Sequence, residues 1–371
     1  MQDGAYCQQS GTYNANDSST YEYVNSAFLI KYADGSQAAG DYATDTVVLG
    51  GLSLSNVQFG IGYDSSSGQG ILGVGYMTNE ALIGTTGRTY TNVPQQLVDD
   101  GVISANAYSL WLNDLDASTG SILFGGVDTA KYNGDLQTVP VIKEQGVYQE
   151  FIIALTGLTA NGQSILSPSD AIGVLLDSGS SLSYLPSSIT DNLYSAFNAE
   201  YNSNAGAAIV SCDLATNNPN TNVEFSFSGA TISVPLDELV LIDGYNRRNQ
   251  PICILGISES GDDGTAVLGD TFLRSAYVVY DLENNEISLA QTNFNATGDS
   301  SVSEITSGDS GVPGASLVAS PVTQVAAVGT GGARNGGQTS VNAAVAGVTP
   351  APVAKAGAWM AAAAVVGALA V

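Results

Sequence analysis

The chain has 371 residues, enough for two domains of ordinary size. Lys and Arg total 9 against 35 Asp and Glu, a net charge of −26, so repulsion excludes nucleic acid and anionic lipid as partners. There is no histidine (His 0), which removes Ser-His-Asp and Cys-His catalysis and the commonest zinc ligand, and leaves carboxylates as the available proton carriers.

The 43 glycines and the abundance of Ser, Thr and Asn predict an all-β protein with many turns. The first twenty-five residues carry no apolar signal core and include a lone Cys7. Asn16-Asp17-Ser18 is a glycosylation acceptor in a secreted protein. Phe28–Tyr32, the turn Ala33-Asp34-Gly35-Ser36 and Gln37–Tyr42 read as a β-hairpin. Strands follow at Thr46–Leu49 and Val57–Ile61, and Gly70–Gly75 reads as a short buried strand closely approached on both sides. Pro94–Asp100 is a short helix, and Tyr108–Leu112, Ser121–Phe124, Val139–Val141 and Val147–Leu155 are strands.

The stretch Ala171–Pro186 organises the rest. Val174, Leu175 and Leu176 form an apolar run suited to a strand buried on both faces, and it ends abruptly in Asp177-Ser178-Gly179-Ser180. A carboxylate at the mouth of a buried strand is costly unless hydrogen bonds hold it, and the serine hydroxyls and nearby N–H groups can supply them. Gly179 lets a second loop or a substrate backbone come close. Ser187–Asn202 has helical spacing in Ile189, Leu193, Phe197 and Tyr201.

Cys212 and Cys253 can close a loop of about forty residues in an oxidising compartment. With three cysteines, none closely spaced, a thiolate metal cluster is excluded. Ala266–Gly269 echoes Gly70–Gly73, which points to a duplicated, two-lobed architecture. Counting the Asp177–Gly269 interval back from Gly73 lands before Met1, so the matching acid of the first lobe is expected upstream of this sequence.

From Gln291 the character changes. Asn295-Ala296-Thr297 is a second sequon, and Thr297 to about Val353 reads as a flexible stalk too poor in apolar residues to fold. The apolar end Ala356–Val371, with small residues at Asn342-Ala343-Ala344 and a spacer between, predicts a GPI-attachment signal with Asn342 as the modified residue.

These residues together resemble the pepsin-type aspartic proteases, and within them the GPI-anchored fungal yapsin-like enzymes. Asp177–Ser180 matches the second catalytic Asp-Thr/Ser-Gly motif, and Val267–Asp270 matches the apolar-apolar-Gly element beside it. Tyr32–Ser36 matches the flap, with Ala33 replacing a common glycine. Gly70–Tyr76, Phe124–Asp128 and the Cys212/Cys253 pair fall in family order. The resemblance implies a bilobal fold, with residues 1–137 as a partial N-terminal lobe carrying the flap and 138–293 as the C-terminal lobe. Residues 294–342 would form the stalk and 343–371 the anchor signal. It implies Asp177 as a catalytic acid, Ser178, Gly179 and Ser180 as its loop, and Tyr32, Asp34, Gly35 and Ser36 over the substrate. A peptide or protein is the implied substrate, with no metal or other cofactor, and the expected form is a monomer carrying a GPI lipid anchor at the cell surface or released outside it. No first Asp-Thr/Ser-Gly motif stands ahead of the flap, and Asp3-Gly4 lacks the apolar strand that would make it one. With half of the acid pair missing, the chain as given is expected not to hydrolyse peptides, and the competing expectation is a non-catalytic, peptide-binding or structural surface glycoprotein.

Overall fold

The computed structural model describes residues 11–325 except 33–34, 67, 118, 204, 261–263, 299 and 309–310. Strands dominate and helices are short, as the turn-rich composition predicts. Glu22–Lys31, Gln37–Leu49 and Leu52–Ser65 form a three-stranded antiparallel sheet around the expected hairpin. Asp45, inside its middle strand, is 1% exposed and accepts hydrogen bonds from Tyr13 Oη at 2.6 Å, Ser18 Oγ at 2.8 Å and Thr20 Oγ1. These bonds pin the segment before the first strand to the sheet.

A six-stranded sheet joins the two halves of the chain. Its order is Ala315–Leu317, Tyr132–Pro140, Glu286–Thr292, Ala276–Asp281, Ala107–Trp111 and Ser121–Phe124. Apart from the short edge strand Ala315–Leu317, these sequence-distant strands meet because each turns apolar residues to the main core, which contains Tyr108, Leu110, Val278, Tyr280, Ile287 and Leu289. The second half adds a five-stranded sheet carrying Asp177 and two four-stranded sheets. The helix that starts at Ser187 buries Ile189, Leu193, Tyr194 and Phe197. It stops at Phe197 rather than Asn202, because Asn198 turns into the left-handed region at φ 51 and caps it.

Two expectations are corrected. Gly70–Gly75 forms no strand: Ile71 is 56% exposed, and a Cβ on Gly70, Gly73 or Gly75 would meet nothing within 4 Å. Only the Ala266–Gly269 half of the sequence echo is tightly packed. The region after Thr297 is also not stalk throughout. Val302–Glu304 pairs with Gly126–Asp128, and Ala315–Leu317 extends the six-stranded sheet. Ile305 is 0% exposed beside Trp111 and Val127, and Val312 and Val318 are buried too. A few well-spaced apolar residues docking on an existing edge and an existing gap outweigh a polar average.

Cys212 and Cys253 are joined, with their Cα atoms 5.2 Å apart, in a link worth about 3–4 kcal/mol through loop closure. Cys7 lies outside the described residues.

Glu238 and Arg274 form a buried ion pair. Arg274 Nε donates to Glu238 Oε2, Arg274 Nη2 donates to the Glu238 carbonyl at 2.7 Å, and Leu115 N–H donates to Glu238 Oε1 at 3.0 Å. Arg274→Met strands a buried carboxylate and should lower unfolding stability by about 3–5 kcal/mol. Denaturant titration reads this directly; a loss under about 1 kcal/mol would show the pair to be dispensable.

Candidate active site

The site is built on the strand Ile172–Leu176. It pairs in parallel with Ala266–Leu268, matching Leu176 to Leu268, and antiparallel with Ile152–Leu155. Val174 is 0% and Leu176 2% exposed, so the strand is held on both sides before the chain turns out at Asp177. Asp177 N–H still donates to the Leu268 carbonyl, at 3.1 Å. The next residues fold back on the carboxylate. Gly179 N–H donates to Asp177 Oδ1 at 2.9 Å and Ser180 Oγ donates to Oδ2 at 2.7 Å. Each oxygen is fixed by one donor and keeps acceptor capacity for a ligand. A Cβ on Gly179 would sit 3.1 Å from Oδ1, so glycine is what lets this N–H come so close. Ser178, between Asp177 and Gly179 in the turn, is half-buried.

The loop is locked from behind by Gly269. A Cβ there would fall 2.3 Å from the carbonyl oxygens of both Ser180 and Leu182, so only glycine fits. Asp270 N–H donates to the Ser180 carbonyl at 2.8 Å. Gly269 N–H donates to Ser183 Oγ at 3.3 Å, and Thr271 Oγ1 donates to the Gly256 carbonyl at 2.7 Å. Apolar contacts of Leu182 with Leu241 and Ile254 complete the support.

Two groups beside Asp177 had no role assigned by sequence reasoning. The rings of Tyr108 and Tyr280 stack at 4.9 Å, with Phe151 edge-on to Tyr280 at 4.7 Å. Burial raises both hydroxyls above the usual tyrosine range, and the charge of Asp177 adds to it. Their approach follows from the pairing Tyr280↔Tyr108 across strands far apart in sequence. Asp270 is the second group. Its Oδ1 is sealed from solvent without a hydrogen-bond partner, and burial pushes the carboxyl up to about 7, opposed by Arg274 and aided by Asp177. The apolar-apolar-Gly-Asp spacing was its only sequence signal.

Tyr32 and Ser36, expected to form a flap, stand at the end of a different sheet. Tyr32 N–H donates to the Ser36 carbonyl at 2.8 Å and Gly35 N–H to the Tyr32 carbonyl at 3.0 Å, with Gly35 at φ 81, so the expected turn closes the hairpin. Asp34 lies outside the described residues. Tyr42, one strand over, is 1% exposed and packs against Phe28 at 5.2 Å and Tyr90 at 5.7 Å. Burial, with Glu80 and Tyr32 adding, raises its hydroxyl to about 12. A groove of about 400 Å³, lined by Tyr76, Thr78, Lys143, Tyr148 and Asn285 among others, includes neither Asp177 nor Tyr32 in its walls.

Asn16 is exposed in the turn Ala15–Asp17, and Asn295 is exposed with its side-chain amide donating to Asp114. Asn342 lies outside the described residues. A second Asp-Ser-Gly triplet, Asp309–Gly311, follows Ser307-Gly308 rather than an apolar strand, and Asp309 and Ser310 are outside the described residues.

The family model for eukaryotic aspartyl proteases matches residues 1–292. The chain belongs to this family. It is 55% identical over 341 residues to the probable aspartic-type endopeptidase opsB of Aspergillus oryzae, covering 90% of this chain and 69% of that relative. It is 41% identical over 305 residues to secreted aspartic protease 8 of Candida albicans, covering 82% of this chain and 68% of the relative. The crystal structure of the aspartic proteinase from Irpex lacteus superposes with a TM-score of 0.63 at 22% identity, covering 77% of this chain and 86% of the other, and shows a shared fold.

The Ser180 hydroxyl is the site's most easily tested support. Ser180→Ala removes one donor to a carboxylate, worth about 1.5–3 kcal/mol. In the protein as the cell makes it, peptide hydrolysis should fall about tenfold or more in kcat with KM nearly unchanged. Unchanged kcat would show that the hydroxyl does not orient the acid.

Proposed function

We propose that this chain is the body of a secreted, surface-anchored aspartic endopeptidase in which Asp177 is one of two acids that activate water. The observation that carries the reading is the Asp177 carboxylate, held by Gly179 N–H and Ser180 Oγ at the end of a buried strand and locked from behind by Gly269. The names of the relatives, an aspartic-type endopeptidase and a secreted aspartic protease, support the same reaction.

In this chemistry two aspartates about 3 Å apart share one proton, because both cannot ionise together. The ionised member takes a proton from a bound water, and the resulting hydroxide attacks the scissile carbonyl. The protonated member donates to the developing oxyanion. The two groups titrate as a pair. The flap turn at Tyr32–Ser36 would close over the peptide and exclude water. Anchoring is supported by the small residues at Asn342-Ala343-Ala344 and the apolar end Ala356–Val371.

The alternative is a surface protein that binds peptides without cutting them. It is favoured by the absence of an Asp-Thr/Ser-Gly motif ahead of the flap in these 371 residues. The test uses the protein as the cell makes it, released from the surface by a phosphatidylinositol-specific phospholipase and mixed with an unfolded protein substrate. Release together with cleavage at acid pH supports the proposal. Binding without cleavage moves the assignment to the alternative, and failure of release removes the lipid anchor.

A further inference from the structure

The chain holds 9 basic residues, and only Arg247 and Arg248 are adjacent in sequence. They sit at the tip of the hairpin formed by Val240–Tyr245 and Pro251–Leu255, where residues 245–251 are all exposed. Arg274 and Glu238 form the one ion pair found among the described residues, so neither tip arginine is neutralised by a carboxylate. In a molecule of net charge −26 this tip is an isolated cationic spot.

The hairpin is weak above its root. A bulge interrupts the pairing between Ile242 and Gly244, leaving Gly244↔Ile252 and Tyr245↔Pro251 as the outer pairs. Pro251 has no N–H to give to the ladder. Ile242 and Tyr245 are 52% and 54% exposed, so they contribute little burial. The tip itself is closed by Asn246, whose Oδ1 accepts from Arg248 N–H at 2.8 Å and Gln250 N–H at 3.1 Å. Few buried contacts and solvent-facing hydrogen bonds make this a segment that opens locally at low cost.

Opening stops at Cys253. Its side chain is 2% exposed and bonded to Cys212, while Leu241 and Ile254 pack on Leu182. The released stretch, residues 243–252, can extend to about 30 Å, long enough to lie along a protease cleft.

We propose that Arg247-Arg248 is a proteolytic processing site, cut after Arg248 by an endopeptidase whose pockets carry carboxylates for paired basic residues. Water adds across the Arg248–Asn249 peptide bond, leaving a carboxylate on Arg248 and an amine on Asn249. Cys212 then lies in the first fragment and Cys253 in the second, so the disulfide keeps the product in one piece. The root of the hairpin, below Cys253, keeps its packing under the Asp177 loop. None of this depends on the chain's own catalytic activity.

The test incubates the full 371-residue chain, disulfide formed, under native conditions with a subtilisin-type endopeptidase selective for paired basic residues. The expected result is a first cut giving a new N-terminus at Asn249-Gln250-Pro251, one band without reductant and two with it. Arg247→Ser with Arg248→Ser, both on exposed side chains that no other part of the fold needs, should abolish the cut. The proposal is overturned if the folded chain stays intact while its heat-unfolded form is cut. It is equally overturned if the double variant is cut at the same bond, or if the fragments part without reductant.

Discussion

In the protein as the cell makes it, replacing Asp177 by asparagine is expected to give a folded protein whose peptide hydrolysis falls by at least about 10³-fold. The change is nearly isosteric. An asparagine Oδ1 can still accept Gly179 N–H, and the rotatable Ser180 hydroxyl can turn from donating to accepting from the new amide. The loop keeps its other anchors, since the Asp177 N–H to Leu268 carbonyl bond and the Asp270 N–H to Ser180 carbonyl bond are made by backbone. What disappears is the carboxylate that can accept a proton. An amide cannot share a proton with a second aspartate, so the water is no longer activated. The measurement is kcat/KM on an unfolded protein substrate at acid pH, alongside the denaturation midpoint. Activity within tenfold of the parent would remove Asp177 from the reaction; a collapsed midpoint would show that the change acted through folding, and Ser180→Ala then becomes the cleaner probe.

The Asp177 turn was legible because its determinants are local: an apolar run, a carboxylate, a glycine two residues on and a serine after it. The hairpin on either side of Gly35 and the Cys212/Cys253 link were legible for the same reason, through turn chemistry and a short list of cysteines. Determinants spread across the chain were not. Tyr108 and Tyr280 lie far apart in sequence and meet only because their strands pair in one sheet, where the Tyr277 hydroxyl also donates to Ser109 Oγ at 2.7 Å. The glycine-spaced stretch Gly70–Gly75 looked like the Gly269 strand, yet one is open and the other is pressed between two carbonyls. Glycine marks both situations equally, and only the surrounding chain separates them. In the tail, Ile305 and Val318 were too few to move an average but sufficient to occupy a gap and an edge.

The second large effect expected is on stability against pH. Asp270 is raised from 3.8 to about 7, first by burial and then by the charge of Asp177, against the opposing Arg274. Its folded form therefore holds a proton more tightly than its unfolded form does. Such a group contributes stability that is fully present below about pH 4 and is lost as pH rises through about 7. At about 1.4 kcal/mol per pH unit, the loss is on the order of 4 kcal/mol. Glu80 acts in the same direction. Burial raises it to about 7 despite the Tyr90 N–H, and its contribution is reduced by its partial contact with water. Asp45 acts the opposite way. Burial alone would raise it, but bonds from Thr20, Tyr13, Ser18 and the Thr46 N–H bring it to about 2, so its stability is present above about pH 4 and fades toward pH 2. Between these limits the fold should be most stable near pH 4 and should weaken steadily toward neutrality. Denaturant midpoints measured from pH 3 to 8 check this, with Asp270→Asn as the decisive variant. Asparagine stays neutral throughout, so the variant should lose most of the slope between pH 4 and 7 while keeping the decline below pH 4. A parent-like slope in Asp270→Asn would mean that the proton taken up on folding is held elsewhere. The residue that anchors the Asp177 loop through its backbone N–H on the Ser180 carbonyl is thus also the one whose buried carboxyl is best accommodated neutral, which ties the support of that loop to the acid range.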